Sequence, residues 1–257
     1  MSVGDFIKNS QVWKSIFRHP APRDRRNRVV VMLTNVFLHL HPVSVRKSGI
    51  NLSYTWCMGG LTFFMFLELT VTGVLLMFYY RPTLEHAYND ILAMRDVLTL
   101  GVLREMHRWG AHAMVITIWL HMYRVFLTGS YKPPREFYWG VGVILLVLSL
   151  FLSFTGYLLP WDQLAIWAIT VGSNMARAHP FVGYEGPGAS VLQVGGVPLI
   201  HQGADARFLL LGGKMVSGET LLRFYVLHCV AVPLAAALLI AIHFWRVRKD
   251  GGISGPL

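Results

Sequence analysis

Four histidines stand in this chain as two spaced pairs: His107 with His121, 14 residues apart, and His228 with His243, 15 apart, on two apolar stretches. An α-helix turns about 100° per residue, so 14 steps return to within about 40° of the starting direction and 15 steps to within about 60°. Each pair therefore shares one broad helical face, its members roughly 21 Å apart along the axis. Packed side by side, two such helices would set the imidazoles in two facing couples at two membrane depths. That is a layout for two bis-histidine haems, with all four histidines as iron ligands. One histidine alone would read as a satisfied core residue or a helix-end anchor. Four at matched spacing would otherwise each need another partner in hydrocarbon.

Two further apolar stretches carry glycines at the same interval, Gly59 with Gly73 and Gly142 with Gly156. Glycine weakens a helix, and small-residue helix packing would explain one such pair. In register with the histidines, the glycines read as room for a flat porphyrin to approach closely. Arginines sit where propionates would end: Arg104 and Arg108 around His107, Arg223 before His228, Arg124 after His121, and Arg246 and Arg248 after His243. Guanidinium matches carboxylate, and interfacial snorkelling is the alternative for any one of them. Glu68 is an acid inside an apolar stretch. It reads either as a group handling protons or touching haem, or as a protonated carboxyl bonded to a neighbouring helix.

The elements that must position these residues are legible in the composition. The chain is 54% apolar and only 14% charged, far from a soluble average. Stretches near 54–80, 103–127, 137–159 and 220–245 are each long enough to cross about 30 Å of hydrocarbon. The expected fold is an all-α membrane protein, with a four-transmembrane-helix haem-binding bundle over 51–257. A basic extension, 1–50, precedes it, broken at Pro20 and Pro22. Its run Val29–Leu40 is expected as an amphipathic surface helix against membrane lipid, with a partner-facing or partly disordered arm as the other reading. No cleavable signal peptide is expected.

Fifteen Lys and Arg fall before the first stretch, between the second and third, or after the fourth, against five in the other two connections. The positive-inside rule then places both termini on the cytoplasmic, negative side. The net charge of +10 follows from that topology and excludes the need for a nucleic-acid partner. The two cysteines, Cys57 and Cys229, are expected at different depths, without a disulfide. Cys57 lacks a Cys-x-x-Cys-His context, and from the residue alone it reads as a buried thiol.

Taken together, Trp56-Cys57-Met58-Gly59-Gly60, Phe78–Pro82, His107-Arg108-Trp109, Thr155-Gly156-Tyr157, Leu159-Pro160-Trp161-Asp162-Gln163, Arg223-Phe224-Tyr225 and the tail Gly252–Leu257 resemble a known family. It is the cytochrome b of quinol-oxidising cytochrome bc complexes, most closely the short cytochrome b6 of the b6f type, and the resemblance covers roughly 50–257. It implies two b-type haems, one on His107 and His228 near the positive side and one on His121 and His243 near the negative side. It also implies a third haem, bound to Cys57 by a single thioether, and a quinone as substrate. Trp167, Ala168, Thr170 and Asn174 are the chain's expected share of the quinol pocket.

The implied partners are a Rieske iron–sulfur protein, a c-type cytochrome and a subunit IV-like chain carrying the later helices and their Pro-Glu-Trp-Tyr-type loop, in a homodimeric complex. The longer stretches at 1–50 and around 183–217 suggest a bacterial complex, in the inner membrane, with different partners. Two other classes stay open: a dihaem anchor passing electrons between a hydrogenase or dehydrogenase and quinone, and a haemless proton-coupled transporter.

Overall fold

The computed structural model describes residues 2–17, 22–33, 47 and 51–254. In chain order the helices are α1 (Val3–Asn9), α2 (Gln11–Ile16), α3 (Arg25–Leu33), α4 (Leu52–Thr55), α5 (Met58–Met77), α6 (Ala87–Asp96), α7 (Leu98–Leu127), α8 (Glu136–Leu158), α9 (Gln163–Arg177) and α10 (Gly188–Val191). A two-stranded hairpin, β1 (Gln193–Val194) and β2 (Val197–Pro198), pairs Gln193 with Pro198. The helices α11 (Ala206–Leu211) and α12 (Gly218–Val226) follow, then a π-turn at Leu227–Ala231 that runs on into α13 (Val232–Asp250). Two compact units share this chain: one of Met1–Phe66, His112–Ser149 and Ala235–Leu257, the other of Leu67–Ala111 and Leu150–Leu234.

Three helices among the described residues are long and apolar enough to cross a membrane: Met58–Met77, Glu136–Leu158 and the continuous Gly218–Asp250. Their large apolar side chains, such as Phe64, Val71, Val147, Leu234 and Leu238, are exposed, as helices facing hydrocarbon require. The expected second crossing falls on α7. At 30 residues it is about 45 Å long, but Arg104, Glu105, Arg108, Arg124 and three histidines dilute its apolar surface below that of the other three.

In the first unit, two short helices occupy a stretch expected only as a basic arm. Ser2 and Asp5 form a capping box at α1, and the Ser10 side chain accepts from the Trp13 amide at α2; this S-x-x-D spacing is a helix-start signal. Arg246 seats them. Its guanidinium is almost wholly buried and donates to the Asp250 carboxylate at 2.9 Å, the Ile16 carbonyl at 2.9 Å and the Ser15 carbonyl at 2.6 Å, with the Phe137 ring 4.7 Å away. A buried ion pair is tolerated when further hydrogen bonds satisfy its remaining donors, and the two carbonyls do so.

The amphipathic helix expected over Val29–Leu40 is described only as far as Leu33, and 34–40 lie outside the described residues. In α3 the arginines occupy the first half and the valines the second. Charge and apolarity are thus separated along the axis, and an amphipathic helix separates them around it. The joint between α4 and α5 is strained: Trp56 and Cys57 have φ of 54° and 49°, a left-handed backbone that costs a non-glycine residue about 1–2 kcal/mol.

The second unit has two small cores, one of Leu158, Ala165, Ile169, Leu211 and Phe224, the other of Tyr80, Ala87, Met94 and Leu221. Tyr80 donates its hydroxyl to the Leu159 carbonyl at 2.5 Å, tying the end of α5 to the end of α8. Asp162 caps α9 by accepting from the Ala165 amide at 2.8 Å. Arg81 grips buried Asp90 on α6 with its amide, Nε and a terminal nitrogen, at 2.9, 3.1 and 2.6 Å. The Arg81 hydrogen bond outweighs burial and holds the Asp90 carboxyl below the usual carboxylate range.

Two outcomes follow from these anchors. Arg246→Ala removes the guanidinium from the buried Asp250 carboxylate and takes the donor from the Ile16 and Ser15 carbonyls, so it should destabilise the first unit by about 3 kcal/mol or more and let a protease release 2–17 faster than from wild type. Because the folded pKa of Asp90 is depressed, its contribution is present above the ordinary carboxylate pKa of about 4 and is lost as pH falls through the lower folded value. Thermal melts on the acid side should therefore fall more steeply for wild type than for Asp90→Asn, whose melting point should be lower at neutral pH.

Candidate functional site

Each unit brings together one histidine from α7 and one from the last helical run. In the second unit His107 faces His228 with ring centres 6.2 Å apart and planes at 82°. In the first, His121 faces His243 at 6.4 Å and 80°. An imidazole–metal bond is about 2 Å long, and two such bonds in line, each carried on to its ring centre, span about 6 Å. The couples are thus spaced for one metal ion between two rings. Among the described residues no group of three or more His, Cys, Asp or Glu could hold a bare metal ion. Two axial nitrogens suit a metal whose other donors come with it, as a porphyrin supplies for iron.

The unequal spacings, 14 and 15, are reconciled by the π-turn. Within it the Val232 amide bonds back to the Leu227 carbonyl, five residues earlier. A turn of that kind takes up one extra residue, the one by which the 15-residue spacing exceeds the 14-residue spacing. The bulge also precedes Pro233, which has no amide to donate to the preceding turn.

Each of the four glycines lies behind one ligand ring. A methyl group at Gly59 would meet His121 Cε1 at 3.2 Å, at Gly73 His107 Cε1 at 3.1 Å, at Gly142 His243 Cε1 at 3.5 Å, and at Gly156 His228 Cε1 at 2.6 Å. The sequence-based expectation gave this room to a porphyrin. In the structure the imidazoles themselves occupy it, because a rigid ring lying against a helix needs the missing side chain.

Two residues that the sequence reading missed complete the second unit's couple. Thr72 donates its hydroxyl to the Glu68 carbonyl at 2.8 Å and sits 2.8 Å from His107 Nδ1. Thr155 donates to the Leu152 carbonyl at 3.0 Å and sits 3.0 Å from His228 Nδ1. With its proton on the helix carbonyl, each hydroxyl accepts from Nδ1–H in the tautomer that leaves Nε2 unprotonated, the form that ligates a metal. The available signal was the repeated Thr-Gly pair at 72–73 and 155–156.

The other expected residues divide. Arg104 and Arg108 both pair with Glu105, at 2.9 and 2.5 Å. Arg124 donates to the Tyr54 carbonyl and lies over the Tyr54 and Trp56 rings, and Arg223 bonds the Leu209 carbonyl at 2.9 Å. Arg248 lies in the last turn of α13. Cys57 is a free thiol and exposed, where the residue type alone suggested burial; its place at the left-handed joint before α5 turns it outward. Cys229 is free and half-buried. On α9, Trp167, Thr170 and Asn174 share one side by helical spacing, and Trp167 and Asn174 are exposed. Ala168 instead packs against the Leu158–Phe224 core, so it is not gathered with them. Glu68 Oε2 is buried without a hydrogen-bond partner, hard against Gly110 of α7.

Comparison with known proteins agrees with this geometry. The Cytochrome b/b6/petB family model matches residues 43–186. The cytochrome b6 of Heliomicrobium gestii is 38% identical over 218 residues, 84% of this chain and 91% of that protein. Those of Gracilaria tenuistipitata var. liui and Acaryochloris marina (strain MBIC 11017) are 41% and 39% identical over 209 residues, 81% of this chain and 86% of theirs. A solved chain described as "Hyperthermophilic respiratory Complex III" shares the fold with a TM-score of 0.68 at 24% identity. The alignment takes in 99% of this chain but 56% of that one, so the chain spans little more than half its length.

The glycine distances predict a graded series. Gly156→Ala forces a methyl into the His228 ring and should abolish haem at that couple, Gly59→Ala and Gly73→Ala should weaken binding, and Gly142→Ala should be tolerated. Haem content and the optical spectrum of each purified variant check the order.

Proposed function

From its membership of the cytochrome b/b6 family, to which this chain belongs, we propose that the protein is the haem-bearing electron-transfer subunit of a quinol oxidoreductase of the Rieske/cytochrome b type. The observation that carries this reading is the pair of facing imidazole couples, at 6.2 and 6.4 Å, with a glycine behind every ring. The chemistry that haem supplies when bound is one-electron exchange, here between quinol oxidised on the positive side and quinone reduced on the negative side, with proton translocation in the manner of a Q cycle.

The chain's own residues hold and tune those groups. His107 with His228, and His121 with His243, ligate two b-type haems. Gly59, Gly73, Gly142 and Gly156 let the ligand rings lie flat against their neighbouring helices. Arg104, Arg108, Arg124 and Arg248 serve the propionates; for Arg104 and Arg108 this exchanges the Glu105 carboxylate for another, so the charge pairing is kept. Cys57 binds a third haem through one thioether, and the exposure of this free cysteine at the α4–α5 joint supports that role. Trp167, Thr170 and Asn174 form the chain's side of the quinol pocket on α9, with Ala168 holding that helix to its core. Glu68 is a proton-handling group, its free oxygen facing α7.

The helix α7 is the fourth crossing, amphiphilic because it carries a ligand of each haem and the charges around them. Both termini lie on the cytoplasmic side of a bacterial inner membrane, as the distribution of fifteen basic residues against five supports. The partners are a Rieske protein, a subunit IV-like chain with further cytochrome b helices, and a c-type cytochrome, in a dimeric complex.

A pyridine haemochrome assay before and after acid–acetone extraction tests this. Two haems should be extracted and one retained, and retention should disappear in Cys57→Ala. His121→Ala should lose one extractable haem and keep the other. A colourless purified protein would refute the reading, and two extractable haems with none retained would remove the role of Cys57 alone.

A further inference from the structure

The two imidazole couples are built from the same parts except at one position. The residue before the glycine is a threonine on both sides of the His107/His228 couple, Thr72 before Gly73 and Thr155 before Gly156. At the His121/His243 couple it is Met58 before Gly59 and Val141 before Gly142, neither of which carries a hydroxyl. A backbone carbonyl faces three of the rings alike, Leu69 at His107, Leu152 at His228 and Tyr138 at His243, so the hydroxyl is the added acceptor at the first couple, while the buried Nδ1 of His243 has no hydrogen bond of normal geometry. Both threonines are buried, at 4% and 0% exposure, so water does not compete for the Nδ1–H and the bonds act in a low-dielectric setting that strengthens them.

We infer that Thr72 and Thr155 are positioning residues that lower the reduction potential of the His107/His228 haem. The inference rests on the haem-binding reading above. A hydroxyl that accepts from Nδ1–H draws that proton away from the ring and makes Nε2 a stronger donor to iron, and a stronger donor favours the ferric over the ferrous state. Two such bonds act on one iron, one through each axial ligand.

The test is an optical redox titration of the intact, haem-loaded complex, with His121→Ala and Cys57→Ala combined as a background that reports the His107/His228 haem alone. Thr72→Val and Thr155→Val should each raise the midpoint of that haem, the double variant should raise it further, and the other haem should not move. Thr→Ser at either position should restore the wild-type value, which a purely packing role would not predict. The reverse substitution, Val141→Thr, should lower the midpoint of the His121/His243 haem.

Wild-type midpoints in the valine variants with both haems retained would overturn the inference while leaving the haem sites intact. Should a valine variant lose its haem, Val141→Thr decides by itself: a lowered midpoint sustains the inference and an unmoved one overturns it. A wild-type complex without haem would instead refute the functional reading beneath it.

Discussion

The structure is organised around a distance that rigid rings cannot adjust. Two imidazoles must face each other with centres about 6 Å apart, close enough for one metal between them and too close for error in helix placement. A flexible ligand would absorb an ångström of misfit by changing rotamer; a ring pressed against a helix backbone cannot. Hence each ligand has a glycine behind it, although glycine costs a helix up to about 1 kcal/mol per position. The π-turn at Leu227–Ala231 takes up one residue beside His228 within the second unit.

Polar groups in such surroundings must be satisfied, and the two units do so differently. In the second, threonine hydroxyls close a chain from imidazole to helix carbonyl, and the Arg81 grip on Asp90 fastens the loop beyond α5. In the first, the largest buried charge is Arg246, which the Asp250 carboxylate and two carbonyls of the N-terminal helices satisfy together. The basic extension is therefore partly structural: its first two helices supply acceptors to a buried guanidinium.

Much of the site was legible because its chemistry is carried by residue types that are costly in hydrocarbon. Histidine and glycine at four-turn intervals stand out against leucine and valine, and all eight come together in the structure as four ring–glycine contacts. What each glycine accommodates was less legible, since a missing side chain does not say whether a ring or a cofactor fills the space. The arginines were found by proximity to the histidines, but Arg246 turns to the N-terminal helices and Arg104 and Arg108 to Glu105, because nearness in sequence does not give direction. Ala168 was grouped with Trp167, yet one residue on a helix is about 100° around it, which sends Ala168 to the core and leaves Trp167 exposed. The helices α1 and α2 carried readable caps at Ser2 and Ser10 that a reading focused on charge passed over.

By itself, the sequence determined the apolar stretches, the asymmetry of their flanking charge, and the face of its own helix on which each histidine lies. Those are properties of one segment against its solvent, and periodicity is enough to read them. Only the tertiary structure decided which glycine meets which ring, that a π-turn lies at Leu227–Ala231, and that Thr72 and Thr155 reach Nδ1 while Met58 and Val141 stand in the matching positions. The rotation and register of one helix against another are set by the packing of side chains far apart in the chain, and no periodicity within a single segment encodes them.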